Sequence, residues 1–402
     1  MKDYFNFGYQ CLGPLLYGFS SWLMKNIHQE RINRIYFFSR DGYIMKKAFD
    51  MLFSDSSVKT FYLEVSRRSL RVPILWKDYS FENLLTMLTP SKLVTLRSIF
   101  DAVGLEMSGY IHLIHKFGFI EDSFFYRDEI LNNKELLQLY KELAADIELN
   151  SKKEYVYLKE YVRQHDIHGK FAIVDIGWSG GMQRFLQTTL KEMGIDADIY
   201  GYYTGVADYY KRNMADGERM NLYGYLFDFY HNPNDVDSRS CFVGLYEMLF
   251  LETKGSVKNY GKDGAGRIYA ERYEYEYSID GKLLDEVEKI KEVQNGALTY
   301  VENRRHATDD IEESISAGSL LKEGQRPSTR AVELFANFRF FDEGEYTFLA
   351  KPQPLLYYFF HFQDFKKDFL KCRWKTAFLR RMFIFPISYY EVYQFVKYLT
   401  SK

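Results

Sequence analysis

Apolar residues recur along this chain in two rhythms, helical spacing and short unbroken runs. Leu15, Leu16, Phe19, Trp22, Leu23 and Ile27 fall on one face of a helix over 12–29. An apolar run at 34–38 predicts a strand. Ile44, Met45, Ala48, Phe49 and Leu52 then return at helical spacing, and Phe61-Tyr62-Leu63-Glu64-Val65 predicts a second strand. Residues 34–70 therefore read as a βαβ unit. Residues 80–168 are mostly helical, with short helices near 80–88, 94–102 and 107–117 and a longer charged one over 134–164. The strand pattern resumes at 171–176. Met182, Phe185, Leu186, Thr189, Leu190 and Met193 form one helical face, which Gly194 closes as a C′ residue, and Ile199 to Val206 is the next strand. A right-handed crossover puts 171 and 199 in one parallel sheet.

Beyond residue 210 the pattern loosens. Residues 240–251 are apolar and fit a strand or a helix. Residues 266–280 alternate as a strand or hairpin. A charged helix is expected over 283–317, a Gly/Ser/Pro-containing loop over 318–329, and an aromatic, basic tail from 353. The predicted organisation is a discontinuous α/β core over 1–75 and 169–260, a helical insertion over 76–168, and an α+β to helical region over 261–402.

Composition narrows the class. The chain has 402 residues, long enough for about two or three domains. Its net charge is −2, so no global field draws in nucleic acid, and any basic site must be local. Cys11, Cys241 and Cys372 are far apart and lack CxxC spacing, which argues against a disulfide framework and fits a reducing cytoplasm. Tyr4 to Met24 carries no charge, which raises the question of a membrane span. Its glycines, Pro14, Asn6 and Gln10 favour a buried helix instead.

The chemistry concentrates at two turns. The first is Phe38-Ser39-Arg40-Asp41-Gly42. The second is Val174-Asp175-Ile176-Gly177-Trp178-Ser179-Gly180-Gly181. Open α/β sheets bind ligands outside the carboxyl ends of their strands. In the second turn, Gly177, Gly180 and Gly181 permit close backbone approach, and the Ser179 hydroxyl with free N–H groups suits an anion. Asp175 is then the candidate for a Mg²⁺ ion, a ribose hydroxyl or a leaving-group proton. In the first turn, Arg40 suits a phosphate and Asp41 an N-cap, with Gly42 opening the helix. Arg67 and Arg68 follow the neighbouring strand and suit a phosphorylated ligand. If the three strands are parallel, all these residues converge on one rim. Glu247, a charge in an apolar run, reads as an exposed position on an amphipathic helix or as a buried acid. Lys366, Lys367, Lys371, Arg373, Lys375, Arg380 and Arg381 are interleaved with Phe365, Phe369, Trp374 and Phe378. They form a basic amphipathic helix of the kind that lies on anionic membranes or docks on a protein body.

Several motifs occur together in a set order: Gly13-Pro14-Leu15-Leu16 with Trp22-Leu23, Tyr36-Phe37-Phe38-Ser39-Arg40-Asp41-Gly42-Tyr43, Ser66-Arg67-Arg68, and Val174-Asp175-Ile176-Gly177-Trp178-Ser179-Gly180. Over residues 4–260 this order resembles the C-terminal region of large haloacid-dehalogenase-like (HAD) proteins found with bacterial capsule and O-antigen glycosyltransferases. The phosphatase motif of such proteins, DxDx[TV], has no counterpart here, since Asp41-Gly42-Tyr43 and Asp175-Ile176-Gly177 lack the second aspartate. The resemblance therefore implies a polysaccharide-biosynthesis setting and glycosyltransferase partners rather than phosphomonoester hydrolysis. Val174-Asp175 followed by Ser179-Gly180-Gly181 is also similar to the phosphoribosyl-pyrophosphate loop of phosphoribosyltransferases. The expected fold is thus α/β, with a Rossmann-like or phosphoribosyltransferase-like, mainly parallel sheet.

The expected function is binding of a phosphorylated sugar or nucleotide, with phosphoryl, phosphoribosyl or glycosyl transfer carried by Asp41 and Asp175. The alternative is a non-catalytic module that scaffolds a glycosyltransferase or holds an anionic glycan intermediate. A cytoplasmic location, peripheral to the inner face of the membrane through the tail, accompanies either.

Overall fold

The computed structural model describes residues 1–88, 93–214, 219–307, 313–342, 345–383 and 387–400. At its centre stand five strands: β1 (Arg34–Phe38), β2 (Lys59–Leu63), β3 (Gly169–Trp178), β4 (Ala197–Val206) and β5 (Asn221–Gly224). They lie in the order β2-β1-β3-β4-β5, and every neighbouring pair is parallel. The order reverses between β1 and β3, which makes the carboxyl ends of those two strands a topological switch point.

Both faces of the sheet are covered, which is why its strands read as continuous apolar runs. Side chains alternate across the sheet. Ile35, Phe37, Ala172 and Val174 enter one core, with residues of α1 (Gly13–Gln29) and α2 (Gly42–Leu52). Tyr36, Phe38, Phe171 and Ile173 enter the other. The turn after β2 leads into the five-residue α3 (Arg67–Arg71). The 31-residue α4 (Lys134–Gln164) is the last helix of the 76–168 segment and is about 46 Å long at 1.5 Å per residue. Leu158, Tyr161 and Val162 near its end join the second sheet core, as do Phe185, Leu186 and Leu190 of α5 (Gly181–Glu192). Leu136, Leu139, Leu143 and Ile147 near its start belong to a third core, with Leu84, Ile99 and Phe100 of the 76–168 segment and Val72 just before it.

On the first face, α6 (Val243–Phe250) and α7 (Asp285–Asn303) complete the layer. A hairpin of β6 (Val257–Lys262) and β7 (Ile268–Arg272) lies between them in sequence. The uncharged N-terminal stretch is helical and packs in the first core, and among the described residues no helix is long and apolar enough to cross a membrane.

Three expectations change. The expected 318–329 loop is largely helix, because Glu313–Gln325 continues through it, with Ala317 and Leu320 buried. In the charged helix expected over 283–317, α7 ends at Asn303, and 308–312 lie outside the described residues. The basic stretch of the tail, expected as one amphipathic helix, is two short helices, Phe362–Lys371 and Lys375–Met382. Its aromatic face docks on the body: Trp374 and Phe378 are buried, and Phe365 and Phe369 pack against the same core.

Candidate functional site

A cavity of about 480 Å³ opens at the switch point. Its wall includes Arg40 and Asp41 from the turn after β1, Arg67, Arg68 and Arg71 of α3, Asp175 to Trp178 of β3, and Glu247 of α6. A second lobe of about 750 Å³ adjoins it, and Arg40, Arg71, Asp101, Ser256 and Tyr273 line both.

Local hydrogen bonds fix this geometry. The Ser39 hydroxyl donates to the Val65 carbonyl (2.7 Å) and accepts from the Val65 N–H (3.0 Å), tying the end of β1 to the end of β2. Ser66 N-caps α3: its hydroxyl accepts from the Ser69 N–H, and the Ser69 hydroxyl accepts from the Ser66 N–H. This reciprocal pair satisfies two backbone donors at the helix start. It also fixes Arg67 and Arg71 four residues apart, on one side of the helix.

The three arginines of α3 differ sharply. Arg68 donates to both carboxylate oxygens of Glu154 (2.8 and 2.9 Å) and is buried. It anchors α3 to α4 and is already neutralised. Arg67 forms no hydrogen bond or ion pair with any described residue. Arg71 is only 6% exposed. Its Nε donates to the Ala102 carbonyl (3.2 Å), and no carboxylate among the described residues forms an ion pair with it. Burial pulls its guanidinium down to about 10, opposed by Asp101 nearby. A buried, unpaired cation is costly, and here it lines a cavity.

Opposite the arginines stands a wall of acids. Asp175 is 6% exposed, and its Oδ1 accepts the Ile176 N–H at 2.9 Å. Burial lifts its carboxyl to about 7, against the opposing pull of that N–H and of Arg67. Burial, then Asp175, raises Asp41 well above the ordinary carboxylate range, while Arg40 and Arg67 lower it. Asp41 begins α2, yet its side chain makes no capping bond, so the expected N-cap role is not what holds it. Burial also raises Glu247, whose carboxylate accepts from Trp178 Nε1 at 3.3 Å. Arg67 lowers all three acids.

The sequence-predicted residues divide accordingly. Arg40, Asp41, Arg67, Arg68, Asp175 and Gly177 meet at the cavity. Arg40 is itself engaged, donating to Glu276 and to the Lys254 carbonyl. Ser179, Gly180 and Gly181 are not on the wall. The reason is that β3 does not end at Asp175: it stays paired with β4 through Trp178, opposite Val206. The glycine turn therefore falls three residues later, where Asn213 donates to the Ser179 carbonyl and Gly180 faces Leu222. Gly42 packs beneath Phe37, beside the cavity rather than in it. Glu247 faces the cavity, and the exposed reading of it fails because Val243–Phe250 is a helix buried on nearly every side. Arg71 was missed altogether. Its signal was the Ser66 cap, which starts a helix on which the residue four beyond Arg67 shares its side.

Among the described residues no three His, Cys, Asp or Glu side chains group to hold a metal ion. Asp41 and Asp175 offer two carboxylates, a set that suits Mg²⁺ only when ligand phosphates complete its shell. Comparison with protein-family models and with curated proteins finds no match to this chain.

Proposed function

We propose that the switch-point cavity binds a phosphorylated sugar or nucleotide and transfers part of it to an acceptor hydroxyl. The observation that carries this reading is Arg71, a buried cation with no carboxylate partner among the described residues, one helical turn from Arg67 on the same cavity wall, whose side chain likewise pairs with none of them. An anionic group seated between them supplies the missing charge, with charge-assisted, bidentate hydrogen bonds. The acid wall supplies the proton chemistry. A carboxyl raised toward neutrality is half ionised at working pH, which suits a general base. The acceptor hydroxyl gives its proton to Asp175 or Asp41 as its oxygen forms the new bond. The displaced phosphate leaves with the bonding electron pair, stabilised by Arg67 and Arg71. Bound Mg²⁺ would further neutralise the phosphates.

The setting, cell-surface polysaccharide biosynthesis, rests on the motif resemblance over residues 4–260. Phosphoribosyl and glycosyl donors are the first candidates. Thermal shift of the protein with phosphoribosyl pyrophosphate, nucleotide sugars and sugar phosphates, with and without Mg²⁺, tests the reading. At least one phosphorylated ligand is expected to stabilise the wild type, and Arg71→Ala to bind it roughly tenfold to a hundredfold more weakly, the range for a hydrogen bond to a charged group. If no phosphorylated ligand shifts the wild type, the proposal fails. Binding without turnover of any acceptor would instead favour a non-catalytic module.

A further inference from the structure

A second surface stands apart from the cavity. Leu355–Phe360 and Phe362–Lys371 are consecutive helices that present apolar side chains in two directions. Inward, Tyr358 is buried, and Phe365 and Phe369 pack against the main core. Outward, Leu356, Phe359 and Phe360 are 72%, 80% and 72% exposed, and Phe362 and Leu370 are exposed beside them. Single exposed apolar residues are ordinary, but a cluster of bulky ones marks an interaction site.

The polar neighbours of this patch are mainly cationic. Lys366, Lys367 and Lys371 are exposed on the same helix. Its two aspartates are turned to tyrosines: the Tyr357 hydroxyl donates to Asp364 (2.6 Å) and the Tyr358 hydroxyl to Asp368 (2.8 Å). Lys371 also pairs with Glu345 (3.4 Å), at the start of the strand whose Tyr346 lines the larger lobe of the cavity. The patch therefore stands next to that lobe's wall.

We propose that this outward face is a docking surface for an anionic lipid bilayer. The phenyl and leucyl groups enter the acyl boundary, and the lysines meet lipid phosphates, the arrangement of an interfacial helix rather than a spanning one. Charge complementarity selects this occupant. A purely apolar protein interface gains nothing from the solvated Lys366 and Lys367 at its edge, whereas an anionic surface attracts both of them. This differs from the face expected from sequence, because Phe365, Phe369, Trp374 and Phe378 are spent on the protein's own core.

Co-sedimentation of the full chain with extruded vesicles tests the proposal. Vesicles of phosphatidylcholine with phosphatidylglycerol are expected to bind the wild type, and pure phosphatidylcholine to bind it at least tenfold more weakly. Phe359→Ser combined with Phe360→Ser is expected to abolish sedimentation, and Lys366→Glu with Lys367→Glu to remove the preference for anionic vesicles. All four side chains are exposed, so the melting temperature of each variant is expected to match wild type, which separates lost docking from lost folding. Failure of the wild type to sediment with anionic vesicles overturns the proposal. So does a lipid-free dimer, measured by light scattering, that the Phe359/Phe360 variant dissolves, since the face is then a contact between copies of this chain.

Discussion

Arg67 and Arg68 are neighbours in sequence and opposites in role. Arg68 is sealed in a bidentate pair with Glu154, and breaking a buried pair leaves an uncompensated charge. Glu154→Ala is therefore expected to cost about 3–5 kcal/mol in chemical denaturation. Arg67→Ala removes a cation that lowers Asp41, Asp175 and Glu247, so it is expected to cost less than Glu154→Ala in the same denaturation measurement while weakening phosphorylated ligands. The acids carry a pH signature. Asp175 is raised from the ordinary range to about 7 in the folded chain, so the native state binds the proton more tightly than the unfolded state. Its contribution to stability is then greatest below the unfolded value near 4 and falls as pH rises toward 7. Asp175→Asn is expected to raise the melting temperature at pH 8 by several degrees more than at pH 5, with Asp41 and Glu247 spared a like-charged neighbour. Equal shifts at the two pH values would show that Asp175 is not raised. Asp41 and Arg67 were legible in sequence because they follow strand ends, and Asp175 because it interrupts an apolar run, although its strand continues to Trp178. Arg71 was not, since no carboxylate among the described residues pairs with it, and a sequence does not show which side chains will meet.

Among the elements, four of the five parallel strands were read because each carries a short apolar run, whereas β5 (Asn221–Gly224), four residues that include Asn and Gly, gave no such run and was not expected. The helix at Glu313–Gln325 was hidden by Gly318, Gly324 and three serines, which tertiary packing overrode. Gly324 packs against the Phe242 ring. Close approach also explains glycines in the uncharged N-terminal stretch. A β-carbon on Gly8 would overlap the Val293 carbonyl, and one on Gly296 the Phe5 carbonyl. The N-terminal helix and α7 therefore touch backbone to backbone, where no rotamer change gives relief. Gly296→Ala is expected to destabilise the fold by about 1–3 kcal/mol or more, measured by urea unfolding, with ligand affinity unchanged in the fraction that stays folded. At β3, Gly177 has φ +97° and lies against the Gly205 carbonyl. Gly177→Ala is expected to lower ligand affinity as well as stability, because that backbone positions Asp175.

Across the whole molecule, the strand rhythm that stops near residue 65 and resumes at 171 matches one parallel sheet in which Ile35–Phe37 pair with Ala172–Val174. What sequence did not reveal is that the insertion has its own core yet shares a single helix with the sheet. Nor did it show that Asp101 of the insertion, Arg71 and Tyr273 would line both lobes of the cavity. Such contacts join residues 30, 172 and 202 positions apart, and local periodicity carries no trace of them. The shared helix α4 has a mechanical corollary. An unbroken rod, gripped by hydrophobic clusters toward each end and pinned by Glu154 between them, transmits tilt with little bending. A displacement of α3, tied to that rod by Arg68, would be felt as a swing of its far end.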